Sequence, residues 1–501
     1  MGIIVRQSIK GALANYLGVA IGFFVSFFVL TKYLTQAEIG LTRVMVDAAM
    51  LFSSLAALGT SSSIVKFFPW FKDDHDNHGI FGLSLLLPLA GFTMFALAFL
   101  IFREPLLAVY SKNAPLLADY FYLLPMLTFF ALYMGVFETN ASVLLRITIP
   151  KMAREVGIRL FNLAAYLLYG FDLISIDTFV WMFCGSYGLA MLLNIFYLFS
   201  LGHISFRIDR HFLTRERIKE IGRYTMYMTT VSLAGNIPLF NSLFLGAKAG
   251  LALTGVYTIA SYIANVVEVP YRSLGAISRP VIATAVKDNR WDEVNRLARQ
   301  VSLHQFLVSL LIFYVIWINI DALFAVIPNG KDYADGVGVV FILGMAKVIN
   351  SSFSVGTDIL NFSRYYSRGL PLITILTFTA IFFNNRFIET MGLDGAAYAT
   401  LCSYLLYFTL LHSYLWWRLK VNIFSMGQLK TVVLVILLLG LDWAWNQWLT
   451  PAMNLNIILG AVLKTTILGT AAAATVYFWQ ISPTVNEIIK KYLYLCKCYV
   501  R

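Results

Sequence analysis

Fourteen stretches of this 501-residue chain are apolar enough and long enough to cross a bilayer, and no other feature constrains the fold as much. They run roughly over 12–31, 43–65, 80–102, 118–140, 156–174, 178–200, 224–246, 252–274, 303–326, 337–360, 369–386, 394–416, 430–449 and 456–479. A hydrocarbon core of ~30 Å asks for about 20 apolar residues per helical crossing. Lipid offers no partner to an exposed backbone N–H or C=O, so every crossing is expected to be a helix. Composition leaves no soluble alternative: 13% of the residues are charged and 59% hydrophobic, whereas soluble domains carry roughly a quarter charged residues. The first run follows Arg6 and Lys10 as a signal sequence would. It is too long for one and lacks a small-residue cleavage site, so it reads as a retained helix.

The net charge of +12 invites a nucleic-acid reading, but the placement of the charge argues against it. With the N-terminus inside and loops alternating sides, 28 Lys and Arg fall in cytoplasmic segments and 7 on the opposite side. That asymmetry is the positive-inside rule, and it predicts both termini in the cytoplasm. The four cysteines carry little: Cys184 and Cys402 lie within helices, and the Cys496/Cys498 pair sits in a cytoplasmic tail where disulfides are not expected. His75 and His78 have metal-like spacing but read better as a solvated loop, so no metal is expected.

The chain also repeats itself. A shift of 215 places Gly40 on Gly255 and Lys72-Asp73 on Lys287-Asp288; a shift of 217 places Asp177 on Asp394 and Ser186-Tyr187 on Ser403-Tyr404. Six crossings per repeat is an even number, so the two copies share one orientation in the membrane. The expected fold class is an all-α polytopic membrane protein of 14 transmembrane helices, with two parallel six-helix lobes plus two appended helices. The lobes are placed at 1–200 and 224–418, with a charged cytoplasmic linker at 201–223 and helices 13 and 14 with the tail at 419–501. Residues 284–300 read as an amphipathic surface helix, with Val294, Leu297 and Ala298 on one face and Arg290, Arg296 and Arg299 free to meet anionic lipid. Interfacial packing is its simpler role.

Three stretches carry a resemblance. YLTQAEIGLTRV (33–44), LFLGAKAGLALTGVYTIASYI (243–263) and MGLDGAAYATLCSYLL (391–406) resemble the two outer turns and the Gly-x-x-Gly-Ala-Ala entry to helix 12 of the polysaccharide flippases of the multidrug/oligosaccharidyl-lipid/polysaccharide superfamily. The resemblance spans essentially the whole chain, and order and spacing carry it. It implies a V-shaped, two-lobe transporter with a cationic central cavity in a bacterial inner membrane. The implied substrate is an undecaprenyl-pyrophosphate-linked oligosaccharide, moved from the cytoplasmic to the outer leaflet by alternating access. The implied partners are that substrate, membrane lipid and polysaccharide-biosynthesis enzymes; no cofactor is implied, and a coupling ion, H+ or Na+, is left open. Where relatives of that family carry an Asp before the outer turn of helix 7, this chain has Asn241, so helix 7 supplies no titrating carboxylate.

Charged groups within membrane helices cost several kcal/mol unless they face a wet cavity or each other, which makes the few present the candidates. Helix 8 carries Glu268 and Arg272 at i, i+4 with Pro270 between them. They read either as a neutralised pair near the helix end or as a cation presented to pyrophosphate across a kink, a bidentate task suited to guanidinium. Lys347 sits mid-helix with Asn350 on its face and is read as cavity-facing. Arg43 and Asp47 read first as an interfacial salt pair, Glu138 as a partner for Arg146 or a cavity cation, and Asp442 with Lys464 as a pair between helices 13 and 14. Asn15, Asn236 and Asn241 complete the candidates, with asparagines meeting sugar. No GK[ST] phosphate loop is present, so ATP hydrolysis is not expected, and the protein is read as a non-enzyme. Two other readings are kept: an ion-coupled multidrug exporter of the same superfamily, and a membrane polysaccharide polymerase or ligase.

Overall fold

A computed structural model describes residues 17–71, 79–202, 213–234, 237–449, 456–482 and 486; the side chains of 233–234, 237–238, 272–273 and 276 lie outside that description. The described residues form helices and connecting turns, with no strand among them. Among the described residues, each of the fourteen apolar runs is mostly helix, with turns inside 43–65 at 57–59 and inside 303–326 at Asn319. These are α1 (Leu17–Tyr33), α2 (Gln36–Ala56), α3 (Ile80–Ser111), α4 (Pro115–Val143), α5 (148–170), α6 (Ile176–Ser200), α7 (Arg215–Ala234 resuming at Ile237–Lys248), α8 (251–287), α9 (Trp291–Ile318) and α10 (Gly330–Phe362). They continue with α11 and α12, the two halves of Gly369–Leu419 on either side of Gly392, then α13 (Met426–Leu449) and α14 (Ile457–Phe478). Ten of the described helical stretches are individually long and apolar enough to span a bilayer, α11 and α12 counting as one.

The quoted turn motifs acquire a physical reason at each position. In the Thr35-to-Gly40 stretch, Thr35 Oγ1 accepts from the Glu38 N–H at 3.3 Å and Glu38 Oε2 accepts from the Thr35 N–H at 2.8 Å. This capping box satisfies two orphan donors at the start of α2. Glu38 Oε1 also accepts from the Tyr169 hydroxyl of α5 at 2.5 Å, which ties the turn to its neighbour. Gly40 is there for contact: a Cβ on it would lie 2.0 Å from the Leu251 carbonyl oxygen. Gly255, its repeat mate, makes the reciprocal approach, with its would-be Cβ 2.0 Å from the Gln36 carbonyl oxygen. Gln36 and Leu251 are themselves 215 apart, so the repeat read from the sequence is a local two-fold contact in which each copy's glycine meets the other copy's helix start. In lipid, where apolar packing gains nothing from water, small residues that let backbones touch carry much of helix association.

The third motif reverses the chain. Gly392 has φ +55°, and a Cβ on Gly395 would lie 2.2 Å from the Phe387 carbonyl oxygen. A continuous helix would hold residues eight apart roughly 12 Å away along its axis, so α11 and α12 form a tight hairpin here. Pro270 ends one part of α8 and opens another: α-helix runs to Asn265, a 3₁₀ turn covers Val266–Glu268, and α-helix resumes at Val269 with proline in its first turn. The ring cannot donate an N–H and fits best in a first turn, so the α-helical ladder is interrupted by one 3₁₀ turn where the kink is expected. The sequence also leads one to expect a bend around Asn236 and Pro238; residues 235–236 lie outside the described residues.

The chain forms two compact units: residues 1–259 with 377–399, and residues 260–376 with 400–501. In the first, aromatic side chains of α3 and α4 interleave, for example Phe92 on Phe129 at 5.1 Å, around a core that includes Leu132, Val136 and Phe137. In the second, the amphipathic helix expected over 284–300 is divided: 284–287 close α8, a turn follows, and α9 starts at Trp291. Val294 and Ala298 are fully buried. Arg299, expected to be free for anionic lipid, instead donates to the Asn422 carbonyl at 3.0 Å, while the Asn422 N–H donates to Asn295 at 3.0 Å. The polar face of the helix thus holds the connection leading to α13.

Candidate functional site

Glu268 closes the 3₁₀ turn of α8 and is 9% exposed. Its carboxylate is held from α10: Lys347 Nζ lies 3.2 Å from Oε2, and Asn350 Nδ2 donates to Oε1 at 2.8 Å. Lys347 and Asn350 share a helix face at i, i+3. Asn350 Oδ1 accepts in turn from Ser354 at 3.2 Å, which orients the amide. Lys347, read from the sequence as cavity-facing, is 8% exposed and ion-paired. Glu268, read as the partner of Arg272, has both oxygens engaged by another helix, because the tight turn before Pro270 turns it toward α10. The backbone of Arg272 continues α8 one turn on, and its side chain lies outside the described residues.

A second ion pair joins the same two helices. Arg279 Nε donates to Asp358 Oδ2 at 3.0 Å, and its Nη2 donates to the Tyr271 hydroxyl at 2.8 Å. Glu268 to Arg279 and Lys347 to Asp358 are both steps of 11 residues, close to three full turns and roughly 16 Å. The two helices therefore run parallel with one seam carrying two pairs of opposite polarity: acid on α8 against base on α10, then the reverse. Sequence reasoning missed Arg279 as a partner and could have found it from the equal spacing and reversed sign.

The first unit brings other candidates together. Arg43 Nε donates to Asp47 Oδ2 at 2.6 Å, the expected pair, and Ser242 Oγ donates to the same oxygen at 2.5 Å. Beside Ser242 on α7, Asn241 Nδ2 donates to the Tyr257 hydroxyl at 2.6 Å and its Oδ1 accepts from Asn384 at 2.9 Å. Asn241 is thus a satisfied amide in a buried network rather than an open sugar contact in this state. Glu138 pairs with Arg154 at 2.8 Å and not with Arg146, since α4 ends at Val143 and a turn at Leu144 and Leu145 separates it from Arg146. In the second unit, Asp442 and Lys464 pair at 2.9 Å as expected. Asn15 and Asn236 lie outside the described residues, as do His75, His78, Cys496 and Cys498. Among the described residues no three His, Cys, Asp or Glu side chains are grouped to hold a metal.

The family model for "Polysaccharide biosynthesis protein" matches residues 5–285, more than half of the chain. The chain belongs to the polysaccharide biosynthesis protein family. Among solved structures, this family member is similar to a lipid II flippase, MurJ, in an inward closed conformation, with 12% identity and a TM-score of 0.68. That match covers 92% of this chain and 98% of the other. It is similar as well to a multidrug resistance MATE family transporter of the MOP superfamily in an inward-facing conformation, with 18% identity, a TM-score of 0.61 and coverage of 84% and 99%. A MOP superfamily transporter from Pyrococcus furiosus follows at 14% identity and a TM-score of 0.53, covering 83% of this chain and 95% of that one. No curated protein matches the sequence. The family member therefore has a MOP-type transporter fold and is a multi-pass membrane protein, and the folds it matches belong to transporters and flippases.

Proposed function

We propose that the protein moves an undecaprenyl-pyrophosphate-linked oligosaccharide from the cytoplasmic to the outer leaflet of a bacterial inner membrane, by alternating access, with both termini cytoplasmic. The observation that carries this reading is Glu268, a buried carboxylate gripped by an ammonium and an amide on a flippase-like fold. A carboxylate and a phosphate oxygen ask for the same donors. Glu268 then acts as the resident anion of Lys347 and Asn350, which an incoming pyrophosphate displaces, with Arg272 one turn further along α8 joining it. A coupling ion, H+ or Na+, would drive the return, and the working partners are membrane lipid and the enzymes that make and consume the glycan.

The test is to delete the gene in its host and extract undecaprenyl-linked saccharides. Single repeat units held on the cytoplasmic leaflet, with surface polysaccharide lost, are the expected result. Units accumulating on the outer leaflet would replace the reading with a polymerase or ligase. The similarity to a multidrug resistance transporter favours one further reading, an ion-coupled exporter, which predicts drug hypersensitivity and no lipid-linked intermediate.

A further inference from the structure

Within the second unit, α10, α12 and the connection that follows α12 bound a groove of about 590 Å³, inside the roughly 300–1,000 Å³ of ligand-sized sites. Its wall is aromatic: the Phe353 ring lies 6.2 Å from Phe408, 5.5 Å from His412 and 5.6 Å from Phe424. Polar groups along α12 are spent on their own helix. Thr409 Oγ1 donates to the Leu405 carbonyl at 2.7 Å, and His412 Nδ1 bonds the Phe408 carbonyl at 2.7 Å. Such a wall offers little to a polar guest and suits a hydrocarbon one. On α12 the lining runs from Leu405 to Trp416, roughly 16 Å of helix axis and about half of a ~30 Å hydrocarbon core. The groove is one leaflet deep.

The end at Trp416 carries the marks of headgroup level. Trp416 and Trp417 are 66% and 62% exposed, and the Arg418 guanidinium lies over the Trp417 ring at 4.3 Å. Exposed tryptophan is typical of the membrane–water interface. A further cation stands at this end. Arg299 of α9 is exposed, and its Nε donates at 3.0 Å to the carbonyl of Asn422, a lining residue. Anchored there, Arg299 makes no ion pair among the described residues, and neither of its Nη groups is spent on a hydrogen bond. Exposed Arg418 and Lys420 add positive charge, and no carboxylate lines the groove. A guanidinium fork matches phosphate oxygens. We propose that the groove is a site for an anionic membrane phospholipid, with one acyl chain along α12 and the phosphate at Arg299. Such a site is independent of what the protein carries.

Native mass spectrometry of the full chain in detergent tests this without any transport. The probes are dioleoyl phosphatidylglycerol, its zwitterionic counterpart dioleoyl phosphatidylcholine, and glycerol 1-phosphate, a headgroup without chains. Phosphatidylglycerol should be held over phosphatidylcholine by roughly tenfold, the scale of one charge-assisted hydrogen bond. Arg299→Gln should bring the two lipids to equality and leave phosphatidylcholine binding unchanged, which shows that the groove still forms. Ser413→Trp fills the groove from an exposed position and should remove both lipids. Equal binding of the two lipids by the unaltered protein, or phosphatidylglycerol held undiminished by Ser413→Trp, overturns the proposal. Displacement of phosphatidylglycerol by an equal concentration of glycerol 1-phosphate also overturns it, since the site would then be one for a free anion. Displacement by an equal concentration of undecaprenyl phosphate does the same and gives the groove to a polyprenyl chain.

Discussion

Replacing Lys347 with methionine leaves the Glu268 carboxylate buried without its cation, and breaking such a pair costs about 3–5 kcal/mol. Lys347→Met is therefore expected to lower the thermal midpoint of the purified protein sharply, and Glu268→Gln on top of it to recover most of the loss, since a neutral pair strands no charge. The double variant separates two roles of the same residues. A pair that merely staples α8 to α10 would recover surface polysaccharide along with stability; a pair that also receives pyrophosphate would recover stability and leave polysaccharide synthesis lost. Recovery of both would sink the anion-exchange mechanism.

The α8–α10 seam makes its own prediction at the scale of elements. The second pair is the more exposed, with Arg279 at 43% and Asp358 at 18%, so solvent screening holds it to about 1 kcal/mol or less. Exchanging the partners, Arg279→Asp with Asp358→Arg, should unfold at nearly the temperature of the unaltered protein, while each single change should fall below it. The glycine contact is a harder constraint. Gly40→Ala and Gly255→Ala each push a Cβ onto a carbonyl oxygen 2.0 Å away, and overpacking of this kind costs typically 1–3 kcal/mol. Because the two contacts are repeat mates, the two variants should shift the melting temperature by similar amounts. A large effect from one and none from the other would contradict the local two-fold.

At the scale of the molecule, topology is the testable consequence of where the basic residues fall. Single cysteines at Lys331 and at Arg364, in a variant freed of its four native cysteines, should report opposite sides to a membrane-impermeant maleimide. Lys331→Cys should label in intact cells and Arg364→Cys only after permeabilisation. Labelling of both from outside would break the assignment of fourteen crossings, since one missing helix inverts everything after it.

Hydropathy and the recurrence of Gly40 at Gly255 were sufficient to read the fold, because lipid leaves helix as the only spanning structure and a repeat must bury the same face twice. The Asp442–Lys464 and Arg43–Asp47 pairs were equally legible, one from matching depth and the other from i, i+4 spacing. Partner choice between helices distant in sequence was not legible. Which carboxylate Lys347 meets depends on the rotation and depth of α8 against α10, set by the turn before Pro270 and by the packing of whole helices. Arg279 looked like a loop cation until Asp358 stood beside it, and Asn241 looked like a free amide until Tyr257 and Asn384 closed around it. The amino-acid sequence alone determined that the chain is a repeat of membrane helices, since this answers to local physics between chain and lipid. Only the tertiary structure decided which buried charges neutralise one another, because that pairing energy exists only once the helices are in contact.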